Sequence, residues 1–404
     1  MHIKSCAGLG ALLLYATGTG ACDRPYSAWM ADSVIFGGQA VAPEGSSPSS
    51  STYLQIGFFQ AGVLRLIQYY RTLNTACAKT NWEDYLETST NSIAPYLLNA
   101  IKDASYPLDR LSTGKGLIYQ YRKSNVTVDL EGLHALRESI NLQPRNALGG
   151  YWYFTYPNWS YLDGMYSLVP FLLSYTPQFN PDNVTVSQDV VHQLDLLWKH
   201  CYHQDSALLV HGYDASKTAS WANPITGASP TVWGRSMGWY MMALVDALEL
   251  SSSFPPSMSD YIHRRLEKLS KAVISAADND TGCWWQVMDN PGREGNYIES
   301  SGSAMFTTAL FRAARLGFLS GTLASEARST AKKCYGYIVD SFVVENENGT
   351  LGYNGTVSVC SLNSSASYDY YVSQPILYDS LHGMAAFVQA SLEQEMLKNS
   401  TDSV

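Results

Sequence analysis

Apolar residues recur at three- and four-residue spacing over most of the chain, a pattern that predicts a mostly helical protein. Ile56–Tyr70 carries such a stripe, and Trp82–Ile101 follows with a similar one. Further stripes predict helices over Leu111–Arg122, Leu130–Leu142, Leu162–Tyr175, Val186–Cys201, Gly238–Leu250, Ser257–Ala277, Ser303–Leu316, Leu323–Val343 and Ser380–Leu397. With one more near Ala28–Phe36, about twelve helices are expected. Strand-like alternation is confined to short pieces near Ala207–Val210 and Gly349–Gly355. The segments Leu162-Asp-Gly-Met-Tyr166, Ser236-Met-Gly-Trp-Tyr240, Gly302-Ser-Ala-Met-Phe306 and Leu381-His-Gly-Met-Ala385 form a faint repeat. Each opens a helix with small residues, Met and usually an aromatic, roughly every 65 to 80 residues. Helices between them are amphipathic and charged, as in Ser257–Ala277 with Arg264, Arg265, Glu267, Lys268 and Lys271. This pattern suits hairpins with an apolar inner helix and a wet outer one. Six hairpins in a ring use about twelve helices, with ligand groups gathered where loops meet the inner helix N-termini. The fold class is all-α.

Composition narrows the class. Charged residues make up only 15% of the 404 and aromatics 12%, which suits one large core with an aromatic-lined cavity. The N-terminus reads as a secretory signal: Lys4, an apolar run from Ala7 to Tyr15, and the small residues Thr19-Gly20-Ala21. Residues 1–21 are therefore expected to be a signal peptide and 22–404 a single exported, extracellular domain. Loss of Lys4 moves the formal charge from −9 to −10. An acidic chain without a Lys/Arg run excludes a nucleic-acid partner, and no other stretch is apolar enough to span a bilayer. A monomer is expected. Cys22, Cys77, Cys201, Cys283, Cys334 and Cys360 remain after the signal, without metal-site spacing, so up to three disulfides are expected. Sequons at Asn125, Asn158, Asn183, Asn279, Asn348, Asn354, Asn363 and Asn399 point to a glycosylated product.

Four clusters carry candidate chemistry. Trp233-Gly-Arg235-Ser-Met-Gly-Trp239-Tyr240 sets one guanidinium among aromatic rings at a loop-to-helix entrance, where anions are welcome. A planar fork grips a carboxylate while flat rings stack on a sugar. Asp163 is a lone carboxyl at a helix start within an aromatic run, Trp152 to Tyr166. It reads either as an N-cap or as an acid whose pKa the apolar flanks raise. His211 is read as a sugar ligand, a proton-transfer group or a core histidine, and Asp214 as the start of a turn. Asp109 follows Pro107 and Leu108 at a helix start, as a cap or a second cavity carboxylate. Glu299 looks like a structural helix entrance. There is no phosphate loop, dinucleotide fingerprint or His-Glu-x-x-His. Carboxylate acid/base work on an acidic sugar remains, with no cofactor or metal implied.

At Tyr156-Pro-Asn158, Leu162-Asp163-Gly-Met-Tyr166, His211-Gly-Tyr-Asp214, Trp233-Gly-Arg235-Ser-Met-Gly-Trp239 and Glu299-Ser-Ser-Gly-Ser-Ala-Met-Phe306, the chain resembles glycoside hydrolase family 105. These are unsaturated rhamnogalacturonyl hydrolases of the six-hairpin glycosidase superfamily. The resemblance spans roughly residues 26–395 and implies an (α/α)6 barrel. It further implies an unsaturated acidic oligosaccharide substrate left by a pectin lyase, hydrated at its C4=C5 vinyl ether. Asp163 stands at the family's catalytic position. By the same resemblance Arg235 contacts the uronate or neighbouring hydroxyls, Trp233 and Trp239 frame the ring, and His211 and Asp109 line the site. Bacterial members tend to have Trp-His-Lys where this chain has Trp152-Tyr153-Phe154, a departure that replaces a polar contact by stacking. Two alternatives stay open: an unsaturated glucuronyl hydrolase acting on other lyase products, and a non-catalytic glycan-binding toroid.

Overall fold

The computed structural model describes residues 24–43, 45, 48–73 and 81–401. Its helices are α1 (Tyr26–Phe36), α2 (Ser50–Leu73), α3 (Trp82–Ile93), α4 (Ala100–Asp103), α5 (Gly114–Ser124), α6 (Thr127–Asn141) and α7 (Gly164–Phe179). They continue with α8 (Thr185–Cys201), α9 (Gly234–Glu249), α10 (Pro256–Ser275), α11 (Ser300–Arg315), α12 (Gly321–Phe342), α13 (Tyr368–Val372) and α14 (Leu381–Thr401). Three two-stranded antiparallel ribbons decorate them: β1 (Trp159–Tyr161) with β2 (Gly212–Asp214), β3 (Val343–Glu345) with β4 (Leu351–Tyr353), and β5 (Thr356–Val357) with β6 (Ile376–Leu377).

The long helices form six hairpins in a closed ring. Helices α2, α5, α7, α9, α11 and α14 each pack on the next, and α14 returns to α2. Outside them lie α3, α6, α8, α10, α12 and α1, each against its inner neighbour. The first helix covers the last, so the ring closes by joining the two ends of the chain. Sequence pattern decides which layer a helix joins. In α9 every residue from Gly234 to Leu248 is buried, and its polar Arg235, Ser236 and Asp246 are each paired within the protein. In α10 only a stripe is buried (Met258, Ile262, Leu266, Leu269, Ser270, Ala272 and Val273), and Pro256 at its first turn lacks an N–H that would have no partner there. The small residues of the repeat answer close packing. A Cβ on Gly302 would lie 3.2 Å from the backbone of Gly234 and Arg235, and one on Gly383 would lie 2.0 Å from Thr356 Oγ1. This is the all-α, (α/α)6 barrel expected from the pattern and the resemblance.

Several expected elements shift. The stripe at Trp82–Ile101 ends as a helix at Ile93, because Pro95 puts Ala94–Tyr96 into a 3₁₀ turn. Leu108–Thr113 is also 3₁₀, since the Ser112 and Thr113 hydroxyls bond back to the carbonyls of Asp109 and Arg110, both at 2.8 Å. The strand expected at Ala207–Val210 is only an isolated bridge from Leu209 to Tyr202, and the true strand follows it as β2. Of the cysteines, Cys283 pairs with Cys334, whereas Cys201 and Cys360 are buried free thiols. Cys201 ends α8 and Cys360 walls a cavity, so one of the up to three expected disulfides is formed among the described residues. Cys22, Cys77 and the expected signal segment lie outside the described residues. No described helix is long and apolar enough to cross a membrane.

Candidate active site

The N-termini of α2, α7, α9 and α14, with the 3₁₀ turn that precedes α5, converge on one mouth of the ring. There a cavity of about 170 Å³ is lined by Ser50 and Leu54 of α2, Asp109 of the 3₁₀ turn, Asp163 before α7, Trp233, Arg235 and Trp239 of α9, and His382 of α14. Unpaired N–H groups and helix dipoles at these ends favour a bound anion. The short ribbon assembles the motifs. Trp159 pairs with Asp214 and Tyr161 with Gly212, while the backbone N–H of Leu162 donates to the carbonyl of His211 at 3.1 Å. The N–H of His211 in turn donates to the carbonyl of Thr231 at 3.3 Å, which ties in the loop before Trp233.

Asp163 stands at the N-cap position of α7 but its side chain caps nothing. Its Oδ2 instead receives the Ser236 hydroxyl at 2.5 Å and faces His211 Nε2 at 3.2 Å. The imidazole approach is an ion-pair distance whose angle falls short of a formed hydrogen bond. No protein hydrogen bond among the described residues engages Oδ1, so one oxygen is held and the other is open to the cavity. Burial pushes Asp109 up to about 7, the charge of Asp163 adds to this, and the Tyr153 hydroxyl at 2.6 Å and Arg110 oppose it. Tyr153 stacks on Tyr161 with centroids 4.3 Å apart and completes an aromatic wall with Tyr156.

Arg235 lines the cavity while three of its five N–H groups are already committed. They reach the carbonyls of Val357 (2.7 Å) and Ser358 (2.6 Å) and the Ser301 hydroxyl (3.2 Å), and the guanidinium lies over Trp233 at 4.8 Å. Glu299 sits 3.8 Å from it and caps α11 by accepting from the Gly302 N–H, the structural role expected. Asp214 likewise accepts from the N–H groups of Ser216, Thr218 and Ala219, so it is a turn residue. Trp233 is anchored by its indole N–H to Gln286 Oε1 at 3.1 Å, and Trp239 packs between Phe58 and Tyr166. His211, expected in the lining, stands one layer behind it. It is fully buried, because the rings of Tyr161, Trp233 and Tyr371 surround it.

A family model, Glycosyl Hydrolase Family 88, matches residues 57–398. The chain belongs to glycosyl hydrolase family 88. Protein Atu3128 of Agrobacterium fabrum is 38% identical over 196 residues, 47% of this chain and 83% of that protein. The structure of a family 105 glycoside hydrolase from C. acetobutylicum superposes with a TM-score of 0.79 at 29% identity, over 92% of this chain and 99% of that one. The unsaturated glucuronyl hydrolase of Bacillus sp. GL1 shares the fold, with a TM-score of 0.66 at 12% identity over 91% and 95% of the two chains. The family 105 resemblance read from the motifs therefore holds, and the chain is a glycoside hydrolase of this group.

The motif reading of this family 88 chain passed over four side chains. Ser236 lay inside a quoted motif, but helical phase alone did not show that it faces Asp163. Tyr153 was read only as a stacking ring. His382 lay in the repeat, where burial and then Arg235 hold its imidazole well below the usual range, hence neutral. Tyr371 lies about 200 residues from Asp163, and only the fold brings them near.

Proposed function

We propose that this protein is an exported unsaturated rhamnogalacturonyl hydrolase with Asp163 as its acid/base. The observation that carries this reading is the Asp163 carboxyl, held through Oδ2 and open through Oδ1 toward an aromatic cavity at the helix N-termini. The substrate is a lyase product whose terminal uronic acid carries a C4=C5 vinyl ether. Asp163 delivers its proton to C4, positive charge develops at C5 and the ring oxygen, and water adds at C5 as Asp163 accepts a proton from it. The hemiketal opens and the neighbouring rhamnose leaves. One carboxyl serves both steps, so the nucleophile–acid pair of direct glycosidases is not needed.

The second carboxyl fits this chemistry as a neutral group. Two carboxylates would repel a uronate, whereas Asp109, protonated up to about 7, adds no charge to the site. The two N–H groups left on Arg235 and the indoles of Trp233 and Trp239 hold the planar acid. The aromatic Tyr153–Phe154 stretch suits a 6-deoxy sugar, whose apolar face and methyl stack on rings. The test is a panel of unsaturated galacturonyl-rhamnose and glucuronyl disaccharides, with released sugar quantified. Release of rhamnose from the first supports the assignment. Turnover of glucuronyl substrates alone shifts it to that class, and tight binding without turnover makes the protein a glycan-binding toroid.

A further inference from the structure

The segment between β5 and β6 crosses the mouth as a strap whose two limbs are joined by the Thr356–Leu377 and Val357–Ile376 pairs. Arg235 grips one limb through the carbonyls of Val357 and Ser358. Gln286 grips the other, donating to the carbonyl of Tyr371 at 3.1 Å. The Tyr371 side chain is fully buried, and its hydroxyl lies 2.7 Å from His211 Nδ1. A buried phenol needs an acceptor for its proton, and Nδ1 is the one hydrogen-bond partner found for it among the described residues. When the phenol donates, Nδ1 carries a lone pair, and a neutral imidazole then holds its proton on Nε2. That nitrogen faces Asp163 Oδ2 at 3.2 Å. The opposite tautomer would set a nitrogen lone pair against a carboxylate oxygen and strand the phenol proton. Tyr161 is the other titratable side chain at this imidazole, its ring edge-on with centroids 5.1 Å apart.

We infer that Tyr371 is a positioning residue that fixes His211 as the Nε2–H tautomer. His211 and Ser236 then act together on Asp163 Oδ2, which leaves Oδ1 as the oxygen that carries the transferred proton. The strap thus does more than wall the cavity: it reaches through His211 to the acid. The role of Asp163 in this chain of contacts rests on the function proposed above, whereas the tautomer is measured without turnover.

The experiment is long-range ¹H–¹⁵N correlation of histidine-labelled protein, with the His211 signals assigned by their loss in His211→Asn. Wild type is expected to show the Nε2–H form. Tyr371→Phe keeps the ring and should give a mixture of tautomers. Its kcat should fall on the order of 10-fold or more, within the range a positioned acid supplies, while KM changes by less than about two-fold. An Nδ1–H form in wild type overturns the inference, as does a tautomer unchanged in the phenylalanine variant. If that variant does not fold, the wild-type spectrum still decides. Undiminished turnover in Asp163→Asn removes the proposed function and leaves the tautomer result standing.

Discussion

At the N-terminal mouth Asp109 has one phenol for a partner, whereas at the opposite end Asp246 is held by Lys115 and by Arg312, each at 2.5 Å. Both carboxyls are buried, yet they are driven in opposite directions. Burial prevails at Asp109 and raises it to about 7, while at Asp246 the two cations outweigh burial and hold the carboxyl far below its usual range. The lower end continues with Glu393, gripped by Arg315 at 2.7 and 3.1 Å and by Arg65. It encloses the larger cavity, about 430 Å³, but its carboxylates are answered by cations of the protein itself. The mouth is smaller, with a partly committed guanidinium, a carboxyl near neutrality and an open carboxyl oxygen. At the lower end buried charge is neutralised within the protein, whereas at the mouth it is left incomplete, as at a ligand site.

This contrast breaks most sharply at Asp163. Asp163→Asn should fold normally and bind substrate while losing roughly 10²–10⁴-fold in kcat, the contribution of a positioned acid; near-wild-type rates would remove the mechanism. The mirror experiment is Asp246→Asn, which leaves Lys115 and Arg312 without their shared anion. It should cost about 3–5 kcal/mol in urea denaturation and leave kcat of the folded protein unchanged. In the parent, the stability owed to Asp246 is present above the ordinary carboxylate range and lost as pH falls through its depressed folded value. A loss of kcat without loss of stability would erase the distinction between the two ends.

Arg235→Ala tests whether the committed guanidinium still serves the substrate. Binding of the acidic disaccharide should weaken by roughly 2–5 kcal/mol, read as KM or by calorimetry, and an unchanged KM would reduce Arg235 to a latch for the strap. A further test concerns Asp109. Its folded carboxyl keeps a proton up to about 7, whereas the unfolded one releases it near 4, so the folded state binds more protons between these values. Stability should therefore fall as pH rises from about 4 to about 7, and Asp109→Asn should flatten that slope in denaturation series. An unaltered slope would mean that Asp109 is not the group responsible.

The ring was legible because its signals are local and periodic. Stripes at helical spacing gave the twelve long helices, and the repeated Gly and Met positions marked inner starts that pack within van der Waals limits at Gly302. Asp163, Asp109, Trp233, Arg235 and Trp239 were named from residue type and setting, and all five line one cavity. What sequence concealed was direction and partner. Nothing in the order Trp233-Gly-Arg235 announces that Val357 and Ser358, over a hundred residues on, take the guanidinium's hydrogen bonds. The Ser236 and His211 contacts of Asp163 arise only when the β1–β2 ribbon joins distant loops. The charge network below leaves no local signal either, since Lys115, Asp246, Arg312 and Glu393 come from four helices.

The central claim is that sugar release at this mouth proceeds by hydration of a double bond. It is tested by following ultraviolet absorbance of the unsaturated uronate and free rhamnose together, with wild-type protein and the lyase-generated rhamnogalacturonan disaccharide. Loss of one equivalent of chromophore per rhamnose released is the predicted result. Rhamnose released with the chromophore intact would mean direct glycosidic cleavage and would contradict the account.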